Sequence, residues 1–146
     1  MTFIKDLKKG KGIEYKICNL IKRKYPSAFV VEKRFEGYDI VVPEVNITVE
    51  TKFDEESEKT GNYIIEVESG GKPSGISVSV ADWWAIVKKN IIIWITRSAL
   101  EYIIKDYQLI SFFPKNDKME KKAYLIPANE LENSPYVKIF DNSSKV

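Results

Sequence analysis

The stretch "YDIVVPEVNITVETKF", residues 38–53, limits what this chain can fold into more than any other. Two runs rich in β-branched residues flank a turn carrying Pro43 and Asn46, which is the pattern of a β-hairpin. With the turn centred between Glu44 and Val45, paired positions sum to 89 and Asp39 stands opposite Glu50. Side chains alternate along a strand, so Ile47, Val49, Thr51 and Phe53 share one face and Thr48, Glu50 and Lys52 the other.

Upstream, Ile13, Ile17, Leu20 and Ile21 recur at the spacing of an amphipathic helix, predicting one from Ile13 to Tyr25 that Pro26 ends. "AFVVEKRF" (28–35) reads as a strand before the hairpin, and Gly37 separates it from "YDIVV". Downstream, "DEESEKTGN" reads as a loop, "YIIEVES" as a strand and "GGKPSG" as a second loop. "SVSVADWW" reads as a helical turn capped by Ser77 or Ser79 that feeds a strand through "WAIV". "IIIWIT" is a further strand. "RSALEYIIKDY" is a helix starting near Thr96 or Ser98, with Ala99, Leu100, Ile103 and Ile104 as its buried stripe. "LISFF", "AYLIP" and "YVKIF" are short edge strands or packing segments. The order predicts an α/β (α+β) fold, a central mixed β-sheet flanked by helices. Its core spans about residues 10–105 of one 146-residue unit, with an extension over 106–146.

Composition narrows the chemistry. The chain has no histidine and one cysteine, Cys18, which excludes an internal disulfide, a Cys/His zinc site and a His-activated nucleophile. No apolar run reaches the roughly 18 residues of a membrane span, and the charged N-terminal "MTFIKDLKKGKG" lacks the apolar segment of an export signal. A cytoplasmic protein is expected. Net charge is only +2, yet lysines cluster at 5–12, 22–24, 87–89 and 115–122, as local footprints for phosphate would.

Like charges opposed across a sheet destabilise it, so Asp39 facing Glu50 calls for a counter-charge. A divalent cation supplies one, because Mg²⁺ is typically held by one or two carboxylates together with waters and phosphate oxygens. At about 100° per residue, Glu14 falls inside the helix arc that holds Ile17 and Cys18, on the side expected to be buried. Packing that helix on the hairpin is expected to aim Glu14 at the same sheet face as Asp39 and Glu50. Metal-assisted hydrolysis of a phosphodiester needs such acids plus an ammonium to orient water or neutralise charge, and Lys52 provides it.

At these residues the sequence resembles the PD-(D/E)XK nuclease superfamily, with "GYDIV" supplying the acid at Asp39 and "VETK" supplying Glu50, Thr51 and Lys52. The helix acid Glu14 in "GKGIEYKI" matches the branch similar to Holliday-junction resolvases, and Tyr38 stands where the family often has proline. "TGNYIIEVESGGKPSGISVSVADWW" (60–84) resembles segments of phage and viral members. The resemblance implies a restriction-endonuclease-like core and an endonuclease cleaving DNA with Mg²⁺ or Mn²⁺. By that analogy Asp39, Glu50 and the Thr51 carbonyl ligate the ion, Glu14 holds a metal or its water, and Lys52 assists the nucleophile. The helix acid favours branched DNA as substrate, with a restriction-type or repair-type nuclease the near alternative, and resolving branched DNA would favour a homodimer, since two strands must be cut; a viral member would work in host cytoplasm.

Lys8, Lys9 and Lys11 form the expected phosphate-gripping flank, and Lys72 and Ser74 sit on a Gly-rich loop whose amides can approach a phosphate. Glu66 and Glu68 share a strand face by alternation. Of the pair Trp83 and Trp84, at least one belongs to the core. The competing expectation is a nucleic-acid or protein binding module that keeps the fold without turnover.

Overall fold

The hairpin forms in the expected register. Ile40 lies opposite Val49, Val41 opposite Thr48 and Val42 opposite Ile47. The computed structural model describes residues 2–32, 37–114 and 118–141, the side chains of residues 2–9 excepted. The turn is a 3₁₀ segment, Pro43–Val45, closed by Asn46 in the left-handed region, where a short polar side chain is tolerated.

Helix α1 runs Thr2–Lys22, starting eleven residues before the apolar periodicity does. Gly10 and Gly12 sit inside it with open space where a side chain would be, so their cost is one of backbone propensity alone. The helix stops before Tyr25 because the residue preceding a proline is pushed out of the helical region. Strand β1 (Phe29–Val30) is a short remnant of the longer strand expected over 28–35, of which residues 33–36 lie outside the described residues. Strands β2 (Ile40–Val42) and β3 (Ile47–Phe53) make the hairpin. The segment expected as a loop contains helix α2 (Glu56–Thr60), whose start is held by Asp54 accepting from the Ser57 amide at 3.1 Å.

Strand β4 (Asn62–Ser69) and the two-residue β5 (Lys72–Pro73) follow, then a 3₁₀ turn at Gly75–Ser77. Strands β6 (Trp83–Lys88) and β7 (Ile91–Thr96) lead into α3 (Arg97–Ile104), where the Thr96 hydroxyl accepts from the Ala99 amide, which decides for Thr96 over Ser98 as the N-cap. Leu100 and Ile104 are its buried stripe, with Ala99 and Ile103 packed beside them. Strands β8 (Leu109–Phe112) and β9 (Lys121–Pro127), helix α4 (Ala128–Glu132) and strand β10 (Lys138–Asp141) complete the order.

Two sheets form where one was expected. The larger is mixed, in the order β1-β2-β3-β6-β7-β10, and among the described residues only β3 and β6 pair in parallel; the smaller is antiparallel, β5-β4-β9-β8. The sequence did not announce the second sheet because each strand's pattern fixes its faces but not its partner. The crossover from β3 to β6, which must span a parallel pair, is made by α2 and the β4–β5 hairpin. The three C-terminal pieces divide, with β8 and β10 at the edges of different sheets and β9 inside the smaller one.

The larger sheet buries both faces. On one, Ile17 and Cys18 of α1 pack on Ile40, Val42, Val49, Ala85, Val87 and Ile92. On the other, Trp84, Ile86, Ile93 and Ile95 meet Tyr63, Ile65 and Ile126 of the smaller sheet, Leu100 of α3 and Leu131 of α4. A polar contact joins the two sheets. Lys88 Nζ donates to Glu132 Oε2 at 2.8 Å, the Tyr63 hydroxyl donates to the same oxygen at 2.5 Å, and Lys88 lies over the Tyr63 ring. Beside α1, Leu20, Tyr25, Ile47, Trp83, Trp94 and Phe140 line an open apolar groove of about 490 Å³. No helix among the described residues is long and apolar enough to cross a membrane.

The turn after β5 is held by a close approach of backbone. Gly75 has φ +56°, and a Cβ there would collide with the carbonyl oxygen of Glu66. Gly75→Ala is expected to destabilise the chain by about 2 kcal/mol, through the left-handed backbone and the lost approach together. Urea unfolding at equilibrium measures it, and a change within ~0.5 kcal/mol would contradict this account.

Candidate functional site

Asp39 immediately precedes β2, one residue beyond the last paired position, Ile40 opposite Val49, so the expected direct opposition to Glu50 is not part of the ladder. Its amide donates to the Val49 carbonyl at 2.9 Å, fixing its backbone at the end of the ladder. Its carboxylate then takes the place of the next ladder acceptor. Asp39 Oδ2 accepts from the Thr51 amide at 2.8 Å and from the Thr51 hydroxyl at 3.1 Å. The amide and carbonyl of one strand residue point to the same neighbour, so the Thr51 carbonyl, assigned as a metal ligand by the family analogy, is directed to the Asp39 side.

Glu50 is directly paired with Trp84 across the parallel β3–β6 ladder, and Lys52 with Ile86. Both therefore face the smaller sheet, whereas α1 packs on the opposite face with Ile40 and Val49. This corrects the expectation that Glu14 shares a sheet face with Glu50. The acids approach one another around the end of β2 instead, because Asp39 leans towards Thr51, whose side chain lies on the α1 side of the sheet. The Glu14 side chain is 16% exposed, and Lys11 Nζ holds its Oε1 at 3.2 Å. Burial first, and then the negative charge of Asp39, push the Glu14 carboxyl above the usual range, against the pull of Lys11.

Glu50 is more constrained. Its side chain is 12% exposed, and Lys52 Nζ stands 3.5 Å from Oε2. Burial first, then Asp39, push Glu50 up to about 8, with Lys52 pulling the other way and Glu14 adding a smaller push. The value lies above the ordinary 4.5, so between these two pH values the folded chain keeps a proton that the unfolded chain has released. Stability therefore falls as pH rises through that window. Glu50→Gln is expected to raise Tm by several degrees at about pH 8.5 and to leave it nearly unchanged at about pH 4. Thermal melts in a chelator measure this; an equal shift at both pH values would show that Glu50 ionisation is not the cause.

Among the described residues, no three acidic, cysteine or histidine side chains are arranged closely enough to hold a metal ion as they stand. The influence of Asp39 on both Glu14 and Glu50 nevertheless brings hard oxygen donors near one another, with Lys11 and Lys52 as their counter-charges. The donor set fits Mg²⁺, which needs few protein carboxylates and keeps several waters.

The expected nucleic-acid contacts separate. Lys11 belongs to the site, bonded to Glu14 and donating to the Val31 carbonyl at 3.4 Å, while the side chains of Lys8 and Lys9 lie outside the described residues. Lys72 stands in the exposed strand β5 rather than a loop. The Ser74 hydroxyl is committed to Glu66 Oε2 at 2.6 Å. Gly75 and Glu66 do reach the site, lining with Lys52, Asp54 and Trp84 a cleft of about 150 Å³ between the sheets. Glu66 and Glu68 do not share a face. A bulge between them sets Glu66 opposite Ala123 and Glu68 opposite Lys122, adjacent residues whose side chains alternate, so one acid pairs with Lys121 and the other with Lys122.

Set against known proteins, the chain matches no family model, no curated protein and no solved structure. Two neighbours of the motif escaped the sequence reading. The Asp39–Thr51 contact runs against the expected alternation, which put Thr51 on the face away from Glu50, and Trp84 beneath Lys52 had no local signal, since the parallel pairing of β3 with β6 crosses the whole β4–β5 hairpin.

Proposed function

We propose that this chain is a metal-dependent endonuclease that hydrolyses DNA phosphodiester bonds. One observation carries the reading: at one end of the hairpin Asp39 stands near enough for its charge to push the Glu50 carboxyl up, and the Lys52 ammonium lies 3.5 Å from Glu50. A hairpin under no functional demand gains nothing from two acids held that near each other. Asp39, Glu50 and the Thr51 carbonyl would hold Mg²⁺ or Mn²⁺, with Glu14 holding the ion or its water. The bound ion would polarise the phosphate and lower the pKa of the attacking water. Lys52 orients that water or neutralises charge developing on the phosphate. Lys11 offers positive charge at the rim, and Lys8, Lys9, Lys72 and Ser74 remain proposed contacts of the DNA backbone.

The restriction-endonuclease-like core and the preference for branched DNA belong to the same proposal, supported by the mixed sheet and by the helix acid Glu14. A symmetric dimer would serve two cuts. The competing reading, a binding module without turnover, draws support from the lack of a ready-made three-ligand cluster among the described residues. Incubation with linear, single-stranded, flapped and four-way DNA, with and without Mg²⁺ or Mn²⁺, separates the two. Cation-dependent product supports the nuclease; salt-sensitive binding with no product under either ion supports the module.

A further inference from the structure

The Lys52 ammonium has two neighbours of different chemistry: Glu50 at 3.5 Å and the face of the Trp84 indole, 5.6 Å from the ring centroid. A cation over an indole is attracted by the ring quadrupole, and the attraction is directional. The lysine side chain is otherwise 45% exposed, with four rotatable bonds and, among the described residues, nothing else to hold its tip. The indole beneath it is immobile. Trp84 is 2% exposed, and its Nε1 donates to the Ser79 hydroxyl at 3.1 Å.

Ser79 is itself buried and has no spare bonding capacity. Its hydroxyl also accepts from the Ala81 amide and donates to the Gly37 carbonyl, each at 3.3 Å. The Gly37 carbonyl takes a second bond from the Val80 amide at 3.0 Å. Gly37 lies two residues before Asp39, so this hydroxyl ties the segment entering Asp39 to the ring that carries Lys52. The residues between these two ends are far apart in the chain, and none of these bonds is needed to build either strand.

We propose that Ser79 and Trp84 are positioning residues of the nuclease site, the indole seating the Lys52 ammonium beside Glu50 while the Ser79 hydroxyl locks that ring to the approach of Asp39. The proposal rests on the nuclease reading for its catalytic consequence but not for the seat itself. The seat acts on where Lys52 stands rather than on substrate affinity. Trp84→Leu is expected to lower kcat about tenfold with KM within about twofold, the size of one cation–π contact. Trp84→Phe keeps a ring face and should stay within about threefold of the parent, and Ser79→Ala, which frees the indole, should fall between them.

The test pairs two readouts on the intact chain, cleavage of linear and four-way DNA with Mg²⁺ or Mn²⁺ and the proton shifts of the Lys52 side chain, assigned by loss of its signal in Lys52→Arg. A lysine over an indole has its ε-methylene shifted upfield by the ring current. That shift should vanish in Trp84→Leu and persist in Trp84→Phe, at a temperature where each variant is folded. A merely structural role for Trp84 would lower activity in step with Tm in both variants and would overturn the proposal. So would an unshifted Lys52 in the parent chain. If the parent cleaves no DNA with either ion, the nuclease reading falls, and the upfield shift alone then decides whether the seat exists.

Discussion

Replacing Lys52 by alanine is expected to reduce cation-dependent DNA cleavage roughly 10³-fold, the scale of a lost proton-transfer or charge-stabilising group. The chain should remain folded, because the Lys52 side chain is nearly half exposed and fills no core position. Its removal has one electrostatic side effect of known sign. Lys52 pulls the Glu50 carboxyl down, so without it Glu50 holds its proton to still higher pH and becomes a poorer metal ligand. Raising pH should therefore recover part of the metal binding but little of the turnover. Asp39→Ala should lose as much activity by another route, since it removes a proposed ligand and strips the Thr51 amide of its acceptor. Stopped assays with Mg²⁺ and Mn²⁺, alongside circular dichroism for folding, measure both. Folded variants that cleave at the parent rate would remove these residues from catalysis.

The largest loss of stability outside the apolar core is expected at Glu132. Its carboxylate receives the Lys88 ammonium and the Tyr63 hydroxyl at once, and burial together with this carboxylate pushes the Tyr63 hydroxyl to hold its proton. The Lys88 and Glu132 side chains are 18% and 25% exposed, so a broken pair is only partly rescued by water. Glu132→Ala is expected to cost roughly 2–4 kcal/mol, most of it from leaving Lys88 without its partner. The corresponding fall in Tm is on the order of 5–12 °C for a chain of this length. Replacing both partners, as Lys88→Met with Glu132→Leu, should regain more than half of the loss, because no buried charge is then left unmatched. A single variant within ~0.5 kcal/mol of the parent would mean that the pair is solvated and does not tie α4 to the larger sheet.

What could be read from the sequence follows the range over which each interaction acts. The register of β2 against β3 was legible because a four-residue turn and strict alternation leave one solution. The cap of α3 at Thr96 was legible for the same reason, its partner Ala99 being three residues away. Glu14 was recognised as partly buried from helical periodicity, yet its sheet face was misjudged, since periodicity gives the arc but not which side of a sheet the helix chooses. Glu66 and Glu68 failed through a bulge, one extra residue that reverses alternation and leaves no mark in composition. The second sheet and the place of Trp84 lay beyond reach altogether, because both depend on strands that meet across long intervals of chain.

The parallel neighbours β3 and β6 have a consequence for the order of folding. Lys52 and Trp84 come together only after α2 and the β4–β5 hairpin have closed a long loop, whose ordering entropy must be met before the contact returns anything. The acid hairpin can form early from neighbours in the chain. Its ammonium finds an aromatic floor later, so a ribosome-bound fragment ending before Trp84 would present the acids without a seated lysine.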